Sequence, residues 1–337
     1  MAKNPIGVST TALIKPEYSY YSFSQLLPFA RQYMNISLVA QVKPLPKNAS
    51  TVAHFSRVER LETDPIELTE GITPNATKVT VNHIDATIKE YGRFIEYTDK
   101  VADTSFQNVI KEFGPLLGQN MGEILESLNA TELCSGLTVV YSNGVQRDQV
   151  NTPITANAIK KAIRILEGNY AQKITRINNA ANLVATSPLP ASYVAFAHSD
   201  MRQDIEALDS FIPVEKYASG KVLSENEIGS VGGVRIVMNN FVTKIEDGGA
   251  AVGDTGTLST TGANSDVYCM PVVAQDAFGV IDLTGYGSGK MLYVPVGEPS
   301  SSDPLAQRGS IGYKVWHAAK ILNEDYVVRI EAAVSGL

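Results

Sequence analysis

The longest run of periodic apolar positions lies between residues 104 and 134. Val109, Phe113, Leu116, Leu117, Met121, Ile124 and Leu128 recur at steps of three and four, the spacing of one face of a helix. Thr104 or Ser105 supplies an N-cap. A helix of about thirty residues spans roughly 45 Å. Gly114-Pro115 falls inside it. Proline removes one backbone donor and clashes with the preceding turn, so the pattern predicts a kink there, or two shorter helices broken near residue 113.

Upstream the period changes from 3.6 to 2. "ISLVAQVKPLP" opens with a short strand. In "TVAHFSRVERL", Val52, His54, Ser56 and Val58 alternate with Ala53, Phe55, Arg57 and Glu59. In "KVTVNHIDATIKEYGRFIEYTD", Val79, Val81, His83 and Asp85 alternate with Thr80, Asn82 and Ile84. Neither strand has a cleanly apolar face. Two such strands joined by a Pro/Gly-bearing loop predict a projecting hairpin. A hairpin alone is marginal and needs a surface to lie on.

Downstream, Ile159, Ala162, Ile163 and Leu166 predict a helix over 155–169. The strand "SYVAFAHS" leads into a short helix, "DMRQDIEALDSF", capped by Asp200. "VGGVRIVMNN" and "VYCMPVVAQDAFGVIDL" read as strands. The Gly/Thr/Ser-rich segment 247–266 between them reads as an exposed loop. "GSIGYKVWHAA" and "DYVVRIEAAV" alternate with period two and predict two antiparallel strands. Trp316 then packs on an adjoining face and His317 sits at a strand end. Strands and helices that do not alternate regularly give an α+β class rather than a repeated βαβ one.

Residues 1–35 mix Pro, Ser and Thr with Tyr18, Tyr20 and Tyr21. Tyrosine suits half-buried contacts, so this segment predicts an extended arm lying on something else, with a frayed terminus as the alternative. The opening residues lack the apolar run of a secretory leader. No stretch approaches ~18 apolar residues. A soluble protein made in a cytoplasm is expected.

The 337 residues are 44% hydrophobic and 19% charged, with a net charge of −7. So low a charged fraction predicts a surface rich in Ser, Thr, Asn and Gly, or one buried against partners. No chain-wide basic field for gripping nucleic acid is present. Cys134 and Cys269 have no C-x-x-C or zinc spacing, and buried thiols are expected.

Candidate chemistry does not assemble. Ser310 in "GSIG" has its glycine adjacent, whereas a nucleophile elbow needs G-x-S-x-G between strand and helix. A hydrolase using Ser310 or Ser199 has no further support. His198-Ser199-Asp200 is contiguous, whereas triad members converge in space. His54, His83, His198 and His317 show no metal-ligand spacing. "GYGSGK", residues 285–290, fails the phosphate-loop pattern because residue 284 is Thr and residue 291 is Met. Glu123 and Glu126 read as solvated or inter-subunit carboxylates. The expectation is a protein that is not an enzyme, with no catalytic, cofactor-binding or metal-binding residues.

Several blocks carry a resemblance instead. "DPLAQRGSIGYKVWHAAKILNEDYVVRIEAA", "LPKNASTVAHFSRVERL" with "EGITP", "YGRFIEYTDKVADTS" leading into "LLGQNMGEILESL", and "NEIGSVGGVRIVMNN" resemble, in order, blocks of the N4-like tailed-phage (podovirus) major capsid proteins. The resemblance implies a Hong Kong 97-like phage capsid fold. Its parts would be an N-terminal arm (1–35), an extended β-hairpin loop with flanking strands (36–90), a peripheral domain with the spine helix (91–139), an axial domain (140–275) and a return to the peripheral domain (276–337). It implies self-assembly through hexamers and pentamers into an icosahedral shell enclosing double-stranded DNA without sequence-specific binding. Scaffolding, portal and possible cement or decoration proteins would be partners. Assembly would occur in the bacterial cytoplasm, the virion capsid would be the destination, and no membrane or cofactor would be involved. An encapsulin-like bacterial nanocompartment, which shares the fold, is the alternative. In related shells the spine helix flexes on packaging, which makes Gly114-Pro115 a candidate bending point.

Overall fold

A computed structural model describes residues 34–45, 50–61, 63–68, 70, 71, 73, 76–104, 109–178, 186–217, 222–252, 256–283, 290–297 and 303–336. The expected arm with its three tyrosines, apart from residues 34 and 35, lies outside the described residues, as does all of "GYGSGK" except Lys290.

The chain begins with strands β1 (Gln41–Leu45), β2 (Val52–Val58), β3 (Val81–Thr87) and β4 (Lys89–Thr98). Helices α1 (Asp99–Thr104) and α2 (Val109–Leu133) follow. Next come β5 (Val139–Tyr141), α3 (Ala156–Gly168), β6 (Ile174–Asn178), β7 (Thr186–Ala197) and α4 (Arg202–Glu206). Then come β8 (Phe211–Pro213), β9 (Glu227–Val231), β10 (Val234–Met238), β11 (Lys244–Ile245) and β12 (Val267–Val273). The chain closes with β13 (Phe278–Leu283), β14 (Lys290–Val294), β15 (Arg308–Ile321) and β16 (Val327–Ala332).

The strands make three sheets. One has nine strands, with the path β5-β16-β12-β7-β10-β9-β8 and with β6 and β11 on its flanks. One has five, with the path β1-β13-β15-β14 and with β4 on β15. The third is the two-stranded hairpin of β2 and β3. β15 organises the five-stranded sheet. It pairs with β4 from Arg308 opposite Thr98 to His317 opposite Lys89, and with β14 and then β13 along its length. Its alternation sends Ile311, Tyr313 and Val315 inward.

Helix α2 ties the two large sheets together. Leu117, Met121 and Leu125 pack on Met291, Ile311, Tyr313 and Val315 of the five-stranded sheet. One turn further on, Ala130, Leu133 and Cys134 join Val194, Phe196, Cys269 and Val273 of the nine-stranded sheet. That sheet's other face takes Ile159, Ala162 and Leu166 of α3 against Tyr193, Ile236, Met270 and Ile330. Thr155 caps α3, its side chain accepting from Ala158 N at 3.2 Å. Each fully buried aliphatic of this kind is worth about 1.5–3 kcal/mol. In the β9–β10 turn, Gly232 and Gly233 have φ of +60° and +93°, the left-handed pair that a tight hairpin turn requires.

Several expectations change. The segment Ile36–Leu38 is a 3₁₀ turn rather than a strand, and β1 starts at Gln41. The long strand expected after residue 78 divides at Ile88, with β3 serving the hairpin and β4 the five-stranded sheet. Thr104 is itself helical and so is no N-cap, and the alternative, Ser105, lies outside the described residues. α2 continues through Pro115 without breaking near residue 113. Its buried stripe runs Leu117–Met121–Leu125–Leu133, so Leu116 is exposed. Asp200 does not cap the helix after β7. The His198 side chain caps the 3₁₀ turn Ser199–Met201 that leads into α4, accepting from Asp200 N at 3.2 Å, while the Asp200 carboxylate accepts from Tyr268 OH at 2.7 Å.

β15 and β16 are not partners. They belong to different sheets, because the turn between them carries the chain from one to the other. His317 lies within β15, not at its end. The 247–266 loop is pinned, with Thr257, Ser265 and Asp266 buried. Burial alone would raise the Asp266 pKa. The N–H groups of Asp247 and Thr260, the Thr260 hydroxyl and Lys244 together hold it below its ordinary value.

Candidate assembly surfaces

The hairpin of β2 and β3 has a rooted half and an unpartnered half. Val52 opposite Thr87 sets a register that runs to Val58 opposite Val81. At the root, Ala53, Phe55 and Ala86 bury with Leu45, Ile88, Ile281, Ala318 and Leu322, and Trp316 packs on the edge of that cluster. The opposite face carries polar cross-strand pairs. His54 Nδ1 meets Asp85 Oδ1 and Ser56 Oγ meets His83 Nδ1 at 3.1 Å, while on the rooted face, beyond Phe55, Asn82 donates to Glu59 Oε1 at 2.5 Å. Beyond the root, Val58, Leu61, Ile66, Leu68, Val79 and Val81 are all exposed. That many exposed aliphatics in one projecting segment mark an interaction surface.

A second apolar surface lies on the outer face of the five-stranded sheet. Leu292 of β14 and Phe94 of β4 both register with Gly312 of β15. Phe94 is 68% exposed and Leu292 and Val294 are each 45% exposed. A Cβ on Gly312 would stand 2.7 Å from both the Arg93 carbonyl oxygen and the Phe94 Cβ. Glycine therefore leaves the notch into which Phe94 settles.

A cleft of about 870 Å³ separates β1 and β2 from the turn after β15. Lys43, Arg57, Arg60, Asp276 and Asp325 line it, so it is polar and of mixed charge. The Lys43 ammonium donates to the His54 carbonyl, and Arg60 stacks on the Tyr170 ring at 3.9 Å.

Beneath these surfaces lies a buried polar seam that sequence reasoning missed. Glu126, expected on the helix surface, is fully buried. Its Oε1 accepts from Asn35 N (2.9 Å), Ile36 N (2.8 Å) and Asn239 Nδ2 (2.6 Å). Burial pushes its pKa up to about 8 against those hydrogen bonds, which act to lower it. One turn on, Asn129 donates to Ser37 Oγ at 3.1 Å and meets His317 Nε2 at 2.8 Å. Burial pushes His317 down to about 4. Gly118, Gly122 and Ala130 on this side of α2 were the available signal, since small residues at helical spacing let other chain segments come close.

The residues weighed for chemistry do not converge on one site, although His198 Nδ1 lies 3.3 Å from Asp200 Oδ2. Ser310 sits in β15 opposite Glu96 and Val294. Ser199 N–H donates to Asn240 Oδ1. Glu123 accepts from Gln119 at 2.9 Å, one turn away on the same helix. The Ser56–His83 contact is one rung of the exposed hairpin. Among the described residues no group of three or more His, Cys, Asp or Glu side chains is arranged to hold a metal. Among the same residues no helix is long and apolar enough to cross a membrane.

Comparison with known proteins bears on these surfaces. A family model described as "Phage capsid protein" matches residues 83–330. The major capsid protein of Pseudomonas phage KPP21 is 22% identical over 266 residues, covering 74% of this chain and 67% of that protein. The fold is similar to the capsid of Ralstonia phage GP4, with a TM-score of 0.66 and 12% identity over 91% of each chain. It is also similar to the head structure of Helicobacter pylori bacteriophage KHP40, with a TM-score of 0.65 and 11% identity over 90% of this chain and 91% of that one.

Proposed function

The chain belongs to the phage capsid protein family, and from that premise we propose that it is the major shell subunit of a tailed double-stranded DNA phage. The subunit has a Hong Kong 97-type fold and resembles the N4-like group. Copies associate as hexamers and pentamers, and repetition of one contact set closes an icosahedral shell. The observation that carries this reading is the hairpin, whose distal half presents six aliphatics that its own chain leaves exposed.

Residues 1–35 are the arm, 36–90 the extended loop, 91–139 and 276–337 the peripheral domain and 140–275 the axial domain. The net charge of −7 suits a container that encloses DNA without gripping its sequence. Scaffolding and portal proteins, and possible decoration proteins, are the expected partners. Assembly takes place in the bacterial cytoplasm and the virion is the destination. An encapsulin-like compartment would share the architecture, but the relatives found by sequence and by fold are phage capsids, which favours DNA as the cargo.

Negative-stain electron microscopy of the recombinant protein, alone and with a scaffolding protein, tests this. Closed shells or capsomer rings are expected. Compact monomers under both conditions would overturn the reading. Replacing residues 61–78 by a short turn removes Leu61, Ile66 and Leu68, half of the exposed aliphatics, and keeps the buried root. That variant should fold and fail to form shells, and normal shells from it would refute the hairpin's role.

A further inference from the structure

The two cysteines are 135 positions apart in the chain and adjacent in the fold. Cys134 is the first residue after α2, its N–H still bonded to the Ala130 carbonyl at 2.9 Å. Cys269 lies in β12. Both thiols are free and buried, with 5% and 1% exposure, and both belong to one packed cluster.

A short circuit of contacts fixes this neighbourhood. Cys269 is in register with Glu331 of β16. The Glu331 carboxylate takes the Arg329 guanidinium at 2.9 Å. Arg329 Nη1 donates to the Cys134 carbonyl. Thr243 closes the ring, its carbonyl accepting from Cys269 N at 3.1 Å and its polar groups favouring ionisation of the Cys134 thiol. The two sulfurs are near enough that each perturbs the other's ionisation.

We propose that Cys134 and Cys269 are an oxidation site that closes to an intrachain disulfide with peroxide as the oxidant, stapling the end of α2 to the middle of the nine-stranded sheet. The Cys134 sulfur attacks one peroxide oxygen. The O–O bond breaks, giving a sulfenic acid at Cys134 and one water. The Cys269 sulfur then attacks the Cys134 sulfur, the S–O bond breaks, and the hydroxide leaves with the Cys269 proton as a second water. Two electrons pass from the two sulfurs to the peroxide, and one S–S bond forms.

The roles follow from the surroundings. The neighbouring Cys269 thiol, then Thr243 and the Arg329 charge, favour a thiolate at Cys134 and lower its pKa against burial, while the neighbouring Cys134 sulfur and burial push Cys269 up. The attacking sulfur is therefore the one with more thiolate, and the resolving sulfur lies beside it. A link between positions so distant in sequence removes more freedom from the unfolded chain than a short loop would. The buried position of both sulfurs disfavours a bond between subunits. The inference does not depend on the shell-subunit reading.

The test uses the full-length wild-type chain. It is purified reduced, exposed to hydrogen peroxide, then denatured in N-ethylmaleimide and weighed. The expected product is about 2 Da lighter than the reduced chain, carries no maleimide, and yields one peptide pair joined through Cys134 and Cys269. Dithiothreitol should restore two maleimide adducts. Peroxide should also raise the unfolding temperature by several degrees, an effect lost in Cys134→Ala and in Cys269→Ala. Two adducts after peroxide treatment of the folded chain would overturn the proposal. So would disulfides between chains, or oxygen added to Cys134 with no S–S bond formed. The wild-type mass shift decides the matter even where a variant fails to fold.

Discussion

The Asn239 side-chain amide donates to the Glu126 carboxylate at 2.6 Å, joining the residue after β10 to the middle of α2 inside the core. The same oxygen holds the N–H groups of Asn35 and Ile36, so one carboxyl group fixes helix, sheet and the beginning of the described chain. The folded pKa of about 8 lies above the ordinary 4.5. The folded state therefore keeps a proton that the unfolded chain releases. Stability should fall as pH rises from about 4.5 to about 8, by about 5 kcal/mol in all, and then level off. Glu126→Gln keeps a carbonyl acceptor for the three donors and should flatten that slope. Glu126→Ala orphans all three donors and should cost about 3 kcal/mol at pH 5.5, a deficit that shrinks toward pH 9 because the variant lacks the titrating carboxyl. Thermal unfolding of the three proteins at pH 5.5 and 9 distinguishes these outcomes.

His317 gives the opposite limb. Its folded pKa of about 4 lies below the ordinary 6.5. The neutral ring is favoured in the fold, so its contribution is intact above pH 6.5 and is lost as pH falls toward 4. Full protonation should cost about 3 kcal/mol. His317→Gln retains a donor toward Asn129 Oδ1 and should lower the midpoint of acid unfolding. An unchanged midpoint would mean that other groups govern acid stability.

The elements were legible where one face is apolar and contacts are local. Ile159, Ala162 and Leu166 declared α3, and Ile311, Tyr313 and Val315 declared an inward face of β15. Partnership was not legible. β15 and β16 are close in sequence and each alternates cleanly, yet the turn between them passes from one sheet to another, and alternation carries no information about which edge a strand joins. Glu126 was misread because a carboxylate on an amphipathic helix is normally solvated. Its donors are the backbone at residues 35 and 36 and the Asn239 side chain, all far away in sequence, so no local pattern reports them. The hairpin was legible because its alternation lacked an apolar face, and the structure shows why: only its root is buried.

Glu331 pairs with two arginines in the nine-stranded sheet. It is fully buried and takes Arg147 through both oxygens, at 2.7 and 2.8 Å, with Arg329 at 2.9 Å. Glu331→Ala leaves the largely buried Arg329 without its counter-charge and should cost about 3–5 kcal/mol. Arg147→Ala should cost much less, since Arg147 is 39% exposed at its side chain and Arg329 still satisfies the carboxylate. Urea unfolding of both variants checks the order. Equal losses would contradict this account.

The Gly114-Pro115 pair sits inside a continuous helix. A Cβ on Gly114 would meet nothing within 4 Å, so Gly114→Ala should stabilise the subunit by about 0.5–1 kcal/mol. Pro115→Ala restores a backbone donor and should stiffen α2. If the pair serves as a bending point during shell maturation, the double variant will assemble normally and expand poorly. Unchanged assembly and unchanged expansion would remove the hinge from consideration.

Phe94 separates folding from assembly. Its ring lies on the outer face of the five-stranded sheet beside Gly312 and faces away from the core made by Met121 and Tyr313. At 68% exposure it contributes little to the isolated subunit, so Phe94→Asp should change the unfolding free energy by no more than about 0.5 kcal/mol. A charge at the centre of a buried contact is far more costly, and it would be repeated at every equivalent contact of a symmetric shell. Phe94→Asp should therefore give a folded subunit that forms no closed particles, while Phe94→Leu assembles. Sedimentation analysis beside circular dichroism reads both properties on one sample. Normal shells from Phe94→Asp would mean that this face points to solvent in the particle. The apolar hairpin tip would then have to find its partner surface elsewhere on the neighbouring subunit.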